Sequence, residues 1–196
     1  MVFGFGKGKQ ETKAAAPAPA PAQAAAKPVA PGVASATPSS IPRGWMSGQM
    51  QDWKLTVDKV IEHAHFNHGS REIVTRSVEG PIVRSTYSDL YFRARKCSNA
   101  LLADGVQKGD RIATLAWNTA RHIETWYGTM CIGAVLHTLN PRLFPEQIAW
   151  IINHAEDTHV FYDITFQPIV EAIKDKVPSV KHWIVLTDAA HKPQSS

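Results

Sequence analysis

The stretch AVLHTLNPRLFPEQIAWII (134–152) decides the fold, because it leads an apolar β-type segment directly into a helix signature. The segment 134–139 has the length and the apolar content of a buried strand. Pro145 stands in the first turn, where a helix tolerates proline, and predicts a helix from Pro145 to about Ala155. Asn140–Arg142 then forms the turn, since proline biases the residue before it away from helical angles.

Strand and helix signatures alternate along the chain on both sides of this stretch. Strands are predicted at 111–117, 159–163 and 182–187, with helices over roughly 120–132 and 166–176. Alternation of this kind implies right-handed βαβ crossovers and a doubly wound, parallel sheet flanked by helices. No element follows the last predicted strand, so we expect an α/β domain whose mostly parallel sheet is incomplete.

Two further helices and a hairpin are predicted upstream of the alternating part. Apolar residues at helical spacing indicate a helix ending near Gly69, and the alternation on either side of Glu79 indicates a β-hairpin. Thr86 and Asp89 have the spacing of a capping box at the start of the next helix, which Gly105 closes. The predicted buried positions are Val57, Val60, Ile61 and Ala64 in the first helix and Leu90, Ala94, Cys97 and Leu101 in the second.

Composition divides the chain into an extension and a domain. Residues 1–45 are rich in Ala and Pro and hold five Lys/Arg against one acid, whereas residues 46–196 hold sixteen of each sign. Prolines prevent helix and alanines offer little apolar surface, so we predict a disordered extension over 1–45. Residues 46–196 are predicted to form one partial domain. Because this part has no net charge, nucleic acid is not expected as a partner.

The cysteines and the apolar runs favour a cytoplasmic protein. Cys97 and Cys131 lie far apart in helical patterns and form no CxxC pair, which fits a reducing compartment. No apolar run is long enough to span a bilayer, and the N-terminus has no secretory h-region. Val2 stands where N-myristoylation requires glycine.

Three groups of reactive side chains are interpreted as structural. His63 and His65 stand two positions apart and point to opposite faces of a helix, so they and His68 are predicted to be solvated helix-end residues rather than metal ligands. Both cysteines are predicted to be small core residues, because neither has a motif-level His partner. Glu156 and Asp157 fit a solvated turn between a helix and a strand.

Two loops fall on the edge where open α/β sheets bind ligands. Asn118, Thr119 and Arg121 follow one predicted strand, and Asn140–Arg142 follows the next. Pattern alone favours an ordinary helix cap at the first loop and an ordinary turn at the second. We therefore assign no catalytic, cofactor-binding or metal-ligating residue.

Three motifs resemble the AMP-forming acyl-adenylating enzymes. TYSDLYFRARKCSNAL (86–101) resembles the first core motif of that family, and GDRIATLAWN (109–118) looks like the segment that follows it. GAVLHTLNPRL (133–143) is similar to the fatty-acid and methylthioalkanoate–CoA ligase branch in particular. The resemblance covers about residues 48–190, and it is strongest in the order and spacing of the motifs.

The resemblance implies a two-step reaction on a small carboxylic acid. ATP, with Mg²⁺, converts the acid into an acyl-adenylate, and the thiol of CoA then displaces AMP. The Gly/Ser/Thr/Lys loop that wraps the phosphates in this family, and its catalytic C-terminal lysine, do not occur in this sequence. We therefore expect an N-terminal fragment of an acid–CoA ligase that binds none of these cofactors by itself and is inactive alone.

Two alternatives to a ligase fragment stay open. The chain could be a non-catalytic interaction or regulatory module that keeps the ligase fold, with unfinished sheet edges as its docking surface. It could also be a small nucleotide- or CoA-binding protein, although a G-x-G-x-x-G turn after a strand is missing. A homo-oligomer is compatible with each of these readings.

Overall fold

The structure is a computed structural model that describes residues 54–193. The extension predicted over 1–45 lies outside the described residues and stays a prediction. The helices are α1 (Val57–His68), α2 (Tyr87–Ala103), α3 (Ala120–Met130), α4 (Pro145–Ala155) and α5 (Gln167–Ile173). The strands are β1 (Glu72–Arg76), β2 (Ile82–Thr86), β3 (Arg111–Leu115), β4 (Val135–Thr138), β5 (His159–Asp163) and β6 (His182–Leu186).

Four of the strands form the predicted parallel sheet, in the order β4-β3-β5-β6. The registers pair Ile112 with Leu136 on one side of β3 and Ile112 with His159 on the other. Strands β1 and β2 form the predicted hairpin as a separate antiparallel pair. The α/β fold and the parallel sheet predicted from the sequence are therefore confirmed.

Side chains alternate between the two faces of the sheet, and each face is covered by helices. Ala113 and Leu115 of β3 pack with the buried residues of α4 and α5, together with Val160 and Tyr162 of β5. The residue before Ala113 faces the other way: Ile112 packs with Cys97 and Leu101 of α2. Helices on both faces make the sheet doubly wound, as predicted.

Helices α2 and α3 approach each other closely at Gly128. A Cβ added there would lie 2.6 Å from Cys97 Cβ and 3.1 Å from the Ala94 carbonyl oxygen, so only glycine fits without a shift. Ser98 Oγ donates to the Gly128 carbonyl at 2.7 Å. The contact fixes α3, and with it the loop that leads from β3 into α3.

The start of α2 follows the prediction, whereas α1 departs from it. Thr86 and Asp89 form a reciprocal capping box, and the four predicted positions of the α2 stripe are buried. In α1 only Ile61 is buried, while Val57 and Val60 are exposed. The predicted burial of Val57 and Val60 is therefore wrong. The one buried residue of α1 is Ile61, which packs against Leu90 and Ala94 of α2.

The last predicted helix is shorter than expected and is extended by 3₁₀ turns. Within the predicted segment 166–176, only α5 is an α-helix. It is preceded by a 3₁₀ turn at Ile164–Phe166 and followed by another at Lys174–Lys176. Short 3₁₀ pieces of this kind are common at helix ends. Within residues 54–193, no helix is both long enough and apolar enough to cross a membrane.

Candidate functional site

The chain changes direction in the sheet between β3 and β5. After β3 it passes through α3 to β4 on one side, and after β5 it passes through α5 to β6 on the other. The carboxyl ends of two such neighbouring strands form the crevice where open α/β sheets bind ligands. The residues that follow β3 and β5 are therefore the candidate site.

Asp163, the last residue of β5, is fully buried in this crevice. Its Oδ2 accepts the backbone N–H of Trp117 at 2.6 Å, and the indole N–H of Trp117 donates to Thr165 Oγ1 at 3.0 Å. Its Oδ1 has no hydrogen-bond partner among the described residues. The carboxyl group thus ties the loop after β3 to β5 while one of its oxygens stays open to a further partner.

Burial raises the pKa of Asp163 from 3.8 to about 6. The Trp117 N–H and the Arg121 charge act in the opposite direction, and the Glu79 carboxylate adds to the rise. Removal from water penalises the charged form, and here that effect is larger than the favourable contacts. Asp163 is therefore a carboxyl group that can take up or release a proton near neutral pH.

Glu79, in the turn of the hairpin, forms the second feature of this edge. Its side chain is 1% exposed, and it accepts two bonds from Arg121 Nη1, at 2.7 and 3.0 Å. Thr187 Oγ1 and the Asp188 N–H, which follow β6, also donate to Glu79 Oε1. Glu79 thereby joins the hairpin, α3 and the end of β6. Although burial acts to raise it, the pKa of Glu79 is lowered from 4.5 to about 2, mainly by the hydrogen bonds from Arg121 and Thr187.

A cavity of about 530 Å³ lies between the hairpin, α2, the start of α3 and the segment after β6. Three arginines line it, and each is bonded to a carboxylate of the chain. The pairs are Arg84 with Glu72, Arg93 with Glu124, and Arg121 with Glu79. Because each of these arginines already pairs with a carboxylate of the chain, none of them is assigned to the phosphates of ATP or of CoA. We therefore derive no step through either cofactor, or through Mg²⁺, from these residues.

His122 lies in the first turn of α3 and is the histidine at this edge. Its Nδ1 lies 3.1 Å from the Trp117 carbonyl oxygen, and its Nε2 accepts the Trp126 indole N–H at 3.1 Å. Both ring nitrogens are thus occupied, which requires the neutral tautomer with the proton on Nδ1. Burial also lowers the pKa of His122. The histidine is a bonded core residue rather than a base.

The loops predicted to lie at the functional edge are there, and they serve as caps and turns. Thr119 caps α3, its Oγ1 accepting the His122 N–H at 3.4 Å. Asn140 Oδ1 accepts the Arg142 N–H at 3.0 Å, which makes a local turn. The structure brings Thr119 and Arg121 into the cavity wall, and Asn140–Arg142 follows the edge strand β4 outside that wall.

The cysteines behave as predicted. Both are free thiols; Cys97 is buried in the core and Cys131 is partly buried. Burial raises the pKa of Cys97 to about 12 and that of Cys131 to about 11. Thiols with such values carry almost no thiolate, the nucleophilic form, at neutral pH. Nucleophilic catalysis by either cysteine is not supported.

Two of the side chains predicted to be solvated are packed instead. His65 stacks on Tyr91 with ring centroids 4.4 Å apart, and its Nδ1 lies 3.0 Å from Ser88 Oγ. Asp157 is fully buried and bonded to His137 Nδ1 at 2.8 Å, whereas its neighbour Glu156 is exposed. Burial raises the pKa of Asp157. The interpretation of Asp157 as solvated was wrong because His137, twenty positions away, covers it.

Sequence analysis missed Glu79 and Asp163 as residues of the site. Asp163 had a usable signal, since it is an acidic residue at the carboxyl end of a buried strand whose centre is Val-Phe-Tyr. Glu79 had none, because its partners Arg121 and Thr187 are 42 and 108 positions away. A turn carboxylate is buried only when distant elements meet over it.

Comparisons with known proteins agree with this fold. The sequence profile described as AMP-binding enzyme matches residues 61–196. Over 141 residues the chain is 45% identical to a 3-methylmercaptopropionyl-CoA ligase of Ruegeria lacuscaerulensis and 44% identical to a medium-chain-fatty-acid–CoA ligase of Ectopseudomonas oleovorans. In both cases the match covers 72% of this chain and 26% of the relative. The chain thus spans about a quarter of the length of these curated relatives.

A solved structure shows the same fold. The chain superposes on the inhibitor-bound N-terminal domain of FACL13 from Mycobacterium tuberculosis with a TM-score of 0.58 and 25% identity. The superposition covers 71% of this chain and 37% of that one. The described elements therefore correspond to only part of that larger domain. By its profile, its relatives and its fold, the chain belongs to the family of AMP-binding enzymes.

Proposed function

We propose that this chain is the N-terminal piece of an ATP-dependent acid–CoA ligase, in which residues 46–196 begin the large domain and residues 1–45 are an extension. The single observation that carries the proposal is the match to two acid–CoA ligases at 44–45% identity over one continuous run of 141 residues. The substrate of the whole protein is then a small carboxylic acid, and its co-substrates are ATP, with Mg²⁺, and CoA.

Within such a ligase, this piece acts as a wall and a scaffold rather than as a source of catalytic groups. The polar side chains at its carboxyl edge are engaged with one another: Glu79 holds Arg121, and Asp163 holds Trp117. Groups arranged in this way stabilise the loops that face a ligand crevice. The open oxygen of Asp163 is a buried acceptor at this edge that a donor from elsewhere in the ligase would satisfy.

The proposal predicts that the 196-residue chain alone does not form an acyl-adenylate. ATP–pyrophosphate exchange on the purified chain, with a panel of short- to long-chain acids, measures this directly. A full-length acid–CoA ligase run beside it shows that the assay works. ATP–pyrophosphate exchange clearly above the blank without protein, at a rate proportional to protein concentration, would contradict the proposal that this chain is an incomplete piece of the ligase.

A second candidate is a non-catalytic interaction module that retains the ligase fold. It is favoured by an apolar groove of about 330 Å³ between the hairpin and α3, where Val74, Ile123 and Trp126 are exposed. In a ligase, the remainder of the large domain covers this groove. In a stand-alone module it stays open or pairs with a second copy of the chain.

Light scattering after size-exclusion chromatography, together with urea unfolding, separates the two candidates. A monodisperse chain that unfolds cooperatively, as a monomer or as a homo-oligomer, favours the module. A chain that aggregates unless the rest of a ligase is supplied favours the ligase piece. We propose the cytoplasm for both, and two cysteines that form no disulfide with each other support that location.

A further inference from the structure

A cluster of two histidines and one aspartate lies at the opposite, amino-terminal edge of the sheet. His159 and His182 are the first residues of β5 and β6 and are partners in the parallel register. Asp104 follows the last turn of α2. The three residues come from elements far apart in sequence, and none of them contributes to the crevice described above.

The ligating atoms of the cluster converge on one point. The Nε2 atoms of His159 and His182 lie 2.7 and 3.3 Å from the same oxygen, Asp104 Oδ2. The two rings are stacked with centroids 5.1 Å apart, and the three candidate ligand atoms lie within 4.8 Å of one another. Ligands of a tetrahedral Zn²⁺ ion, each about 2.1 Å from the metal, lie roughly 3.4 Å apart.

We propose that Asp104, His159 and His182 bind a first-row divalent transition-metal ion of the zinc type, with water as the fourth ligand. Two imidazoles and a carboxylate suit zinc and its neighbours, whereas Mg²⁺ and Ca²⁺ prefer oxygen ligands alone. The carboxyl end of α2 adds the negative end of its helix dipole, which favours a cation at this position.

The hydrogen bonds behind His159 complete the site. Thr158 Oγ1 lies 2.9 Å from His159 Nδ1 and can donate to the Arg111 carbonyl oxygen at 3.3 Å. When Nε2 binds the metal, Nδ1–H of His159 donates a hydrogen bond to Thr158 Oγ1. The Thr158 hydroxyl in turn donates a hydrogen bond to the Arg111 carbonyl oxygen. This is the outer-shell arrangement that fixes the tautomer of a metal-bound histidine.

The site is buried on one side and open on the other. The His159 side chain is 3% exposed, against 22% for Asp104 and 32% for His182. The metal therefore enters between Asp104 and His182 and reaches His159 last. When bound, it links α2 to the starts of β5 and β6.

Isothermal titration of the metal-free 196-residue chain with ZnCl₂ tests the proposal, with MgCl₂ as the comparison. We expect one Zn²⁺ per chain, no response to Mg²⁺, and the intense visible absorption of four-coordinate cobalt when Co²⁺ is used. Saturating Zn²⁺ should raise the melting temperature by several degrees, because the metal binds the folded state preferentially.

Variants assign the metal to this cluster. His182→Asn and Asp104→Asn should each weaken Zn²⁺ binding at least tenfold, and Thr158→Val should weaken it by roughly tenfold or more. The matched control is the double variant His63→Asn/His68→Asn. It removes two histidines of α1 whose rings lie close to each other and outside the cluster, and it should bind Zn²⁺ as the unaltered chain does. Far-UV circular dichroism confirms that each variant is folded, and if His182→Asn is not, Asp104→Asn decides.

Two results would overturn the inference. One is the absence of stoichiometric Zn²⁺ binding by the folded chain at pH 7.5. The other is binding that persists in the Asp104 and His182 variants but is lost in the His63/His68 variant, which would place the metal on α1 instead.

Discussion

Glu79 accepts two hydrogen bonds from Nη1 of Arg121, although the two residues lie 42 positions apart. The pair connects the turn of the hairpin to the first turn of α3, and its carboxylate is almost wholly removed from water. The contact therefore holds the hairpin over the carboxyl edge of the sheet.

Removal of the Glu79 charge should destabilise the domain strongly. Breaking one partner of a buried ion pair leaves the other uncompensated, so Glu79→Gln should lower the free energy of unfolding by about 3 kcal/mol at pH 7. Urea unfolding of the variant and of the unaltered chain measures this loss. The matched control is Glu72→Gln, in the exposed pair with Arg84, where a loss below about 1 kcal/mol is expected. Equal losses in both variants would contradict this role for Glu79.

The same pair predicts a definite pH dependence. The pKa of Glu79 is lowered from 4.5 to about 2 in the folded state, so its stabilisation is complete above pH 4.5 and is lost as the pH falls towards 2. The difference in stability between the unaltered chain and Glu79→Gln should therefore shrink between pH 4.5 and pH 2. A difference that stays constant through this range would show that Arg121 does not act through the Glu79 charge.

Asp163 should show the opposite pH dependence. Its folded-state pKa of about 6 lies above the ordinary 3.8, so the folded state binds more protons between these values and loses stability as the pH rises. The Asp163→Asn variant lacks the titrating group and does not lose stability in this way. The free energy of unfolding of the variant minus that of the unaltered chain should therefore increase from pH 4 to pH 6, by up to ~3 kcal/mol. Val160→Ala, a buried change without a charge, should show a pH-independent difference. If the plots of stability against pH for Asp163→Asn and for the unaltered chain run parallel, the raised pKa of Asp163 is refuted.

Hydrophobic periodicity and turn chemistry predicted the elements that have strong local signals. Helix α4 runs from Pro145 to Ala155 and β5 from His159 to Asp163, as expected. Both are fixed by residues inside the element: a first-turn proline, and a run of five buried residues. The order of motifs along the chain predicted the family for the same reason, since it depends on local sequence alone.

Predictions failed where burial depends on a distant partner. Asp157 is buried because His137 covers it, and Val60 is exposed because α1 turns it away from the described core. Glu79 is in the site because Arg121 and the segment after β6 reach it. None of these pairings leaves a trace in the spacing of nearby residues, so periodicity could not have found them.

Gly128 should resist replacement even by alanine. The added Cβ would lie 2.6 Å from Cys97 Cβ, which forces α2 and α3 apart, so Gly128→Ala should lower the free energy of unfolding by about 1–3 kcal/mol. Thermal and urea unfolding of this variant and of the unaltered chain provide the test. A Gly128→Ala variant as stable as the unaltered chain would show that the helices do not touch there.

Both thiols should react slowly in the folded chain. With pKa values of about 12 for Cys97 and about 11 for Cys131, the thiolate fraction at pH 8 is at least ~100-fold below that of a free cysteine. Labelling with Ellman's reagent at pH 8 should therefore be slow, and should become complete and fast in 6–8 M urea. Rapid labelling of one thiol without denaturant would contradict the assigned burial, and Cys131→Ser would identify which one reacts.

The most direct test of the central claim is a chimeric ligase. The segment of this chain that matches the 3-methylmercaptopropionyl-CoA ligase of Ruegeria lacuscaerulensis replaces the corresponding quarter of that enzyme, and thioester formation is measured with its own substrate. A control chimera takes the same quarter from the Ectopseudomonas oleovorans ligase. If this chain is the N-terminal piece of an acid–CoA ligase, its chimera forms the thioester at a rate comparable to the control. A folded chimera that is inactive beside an active control would contradict the claim.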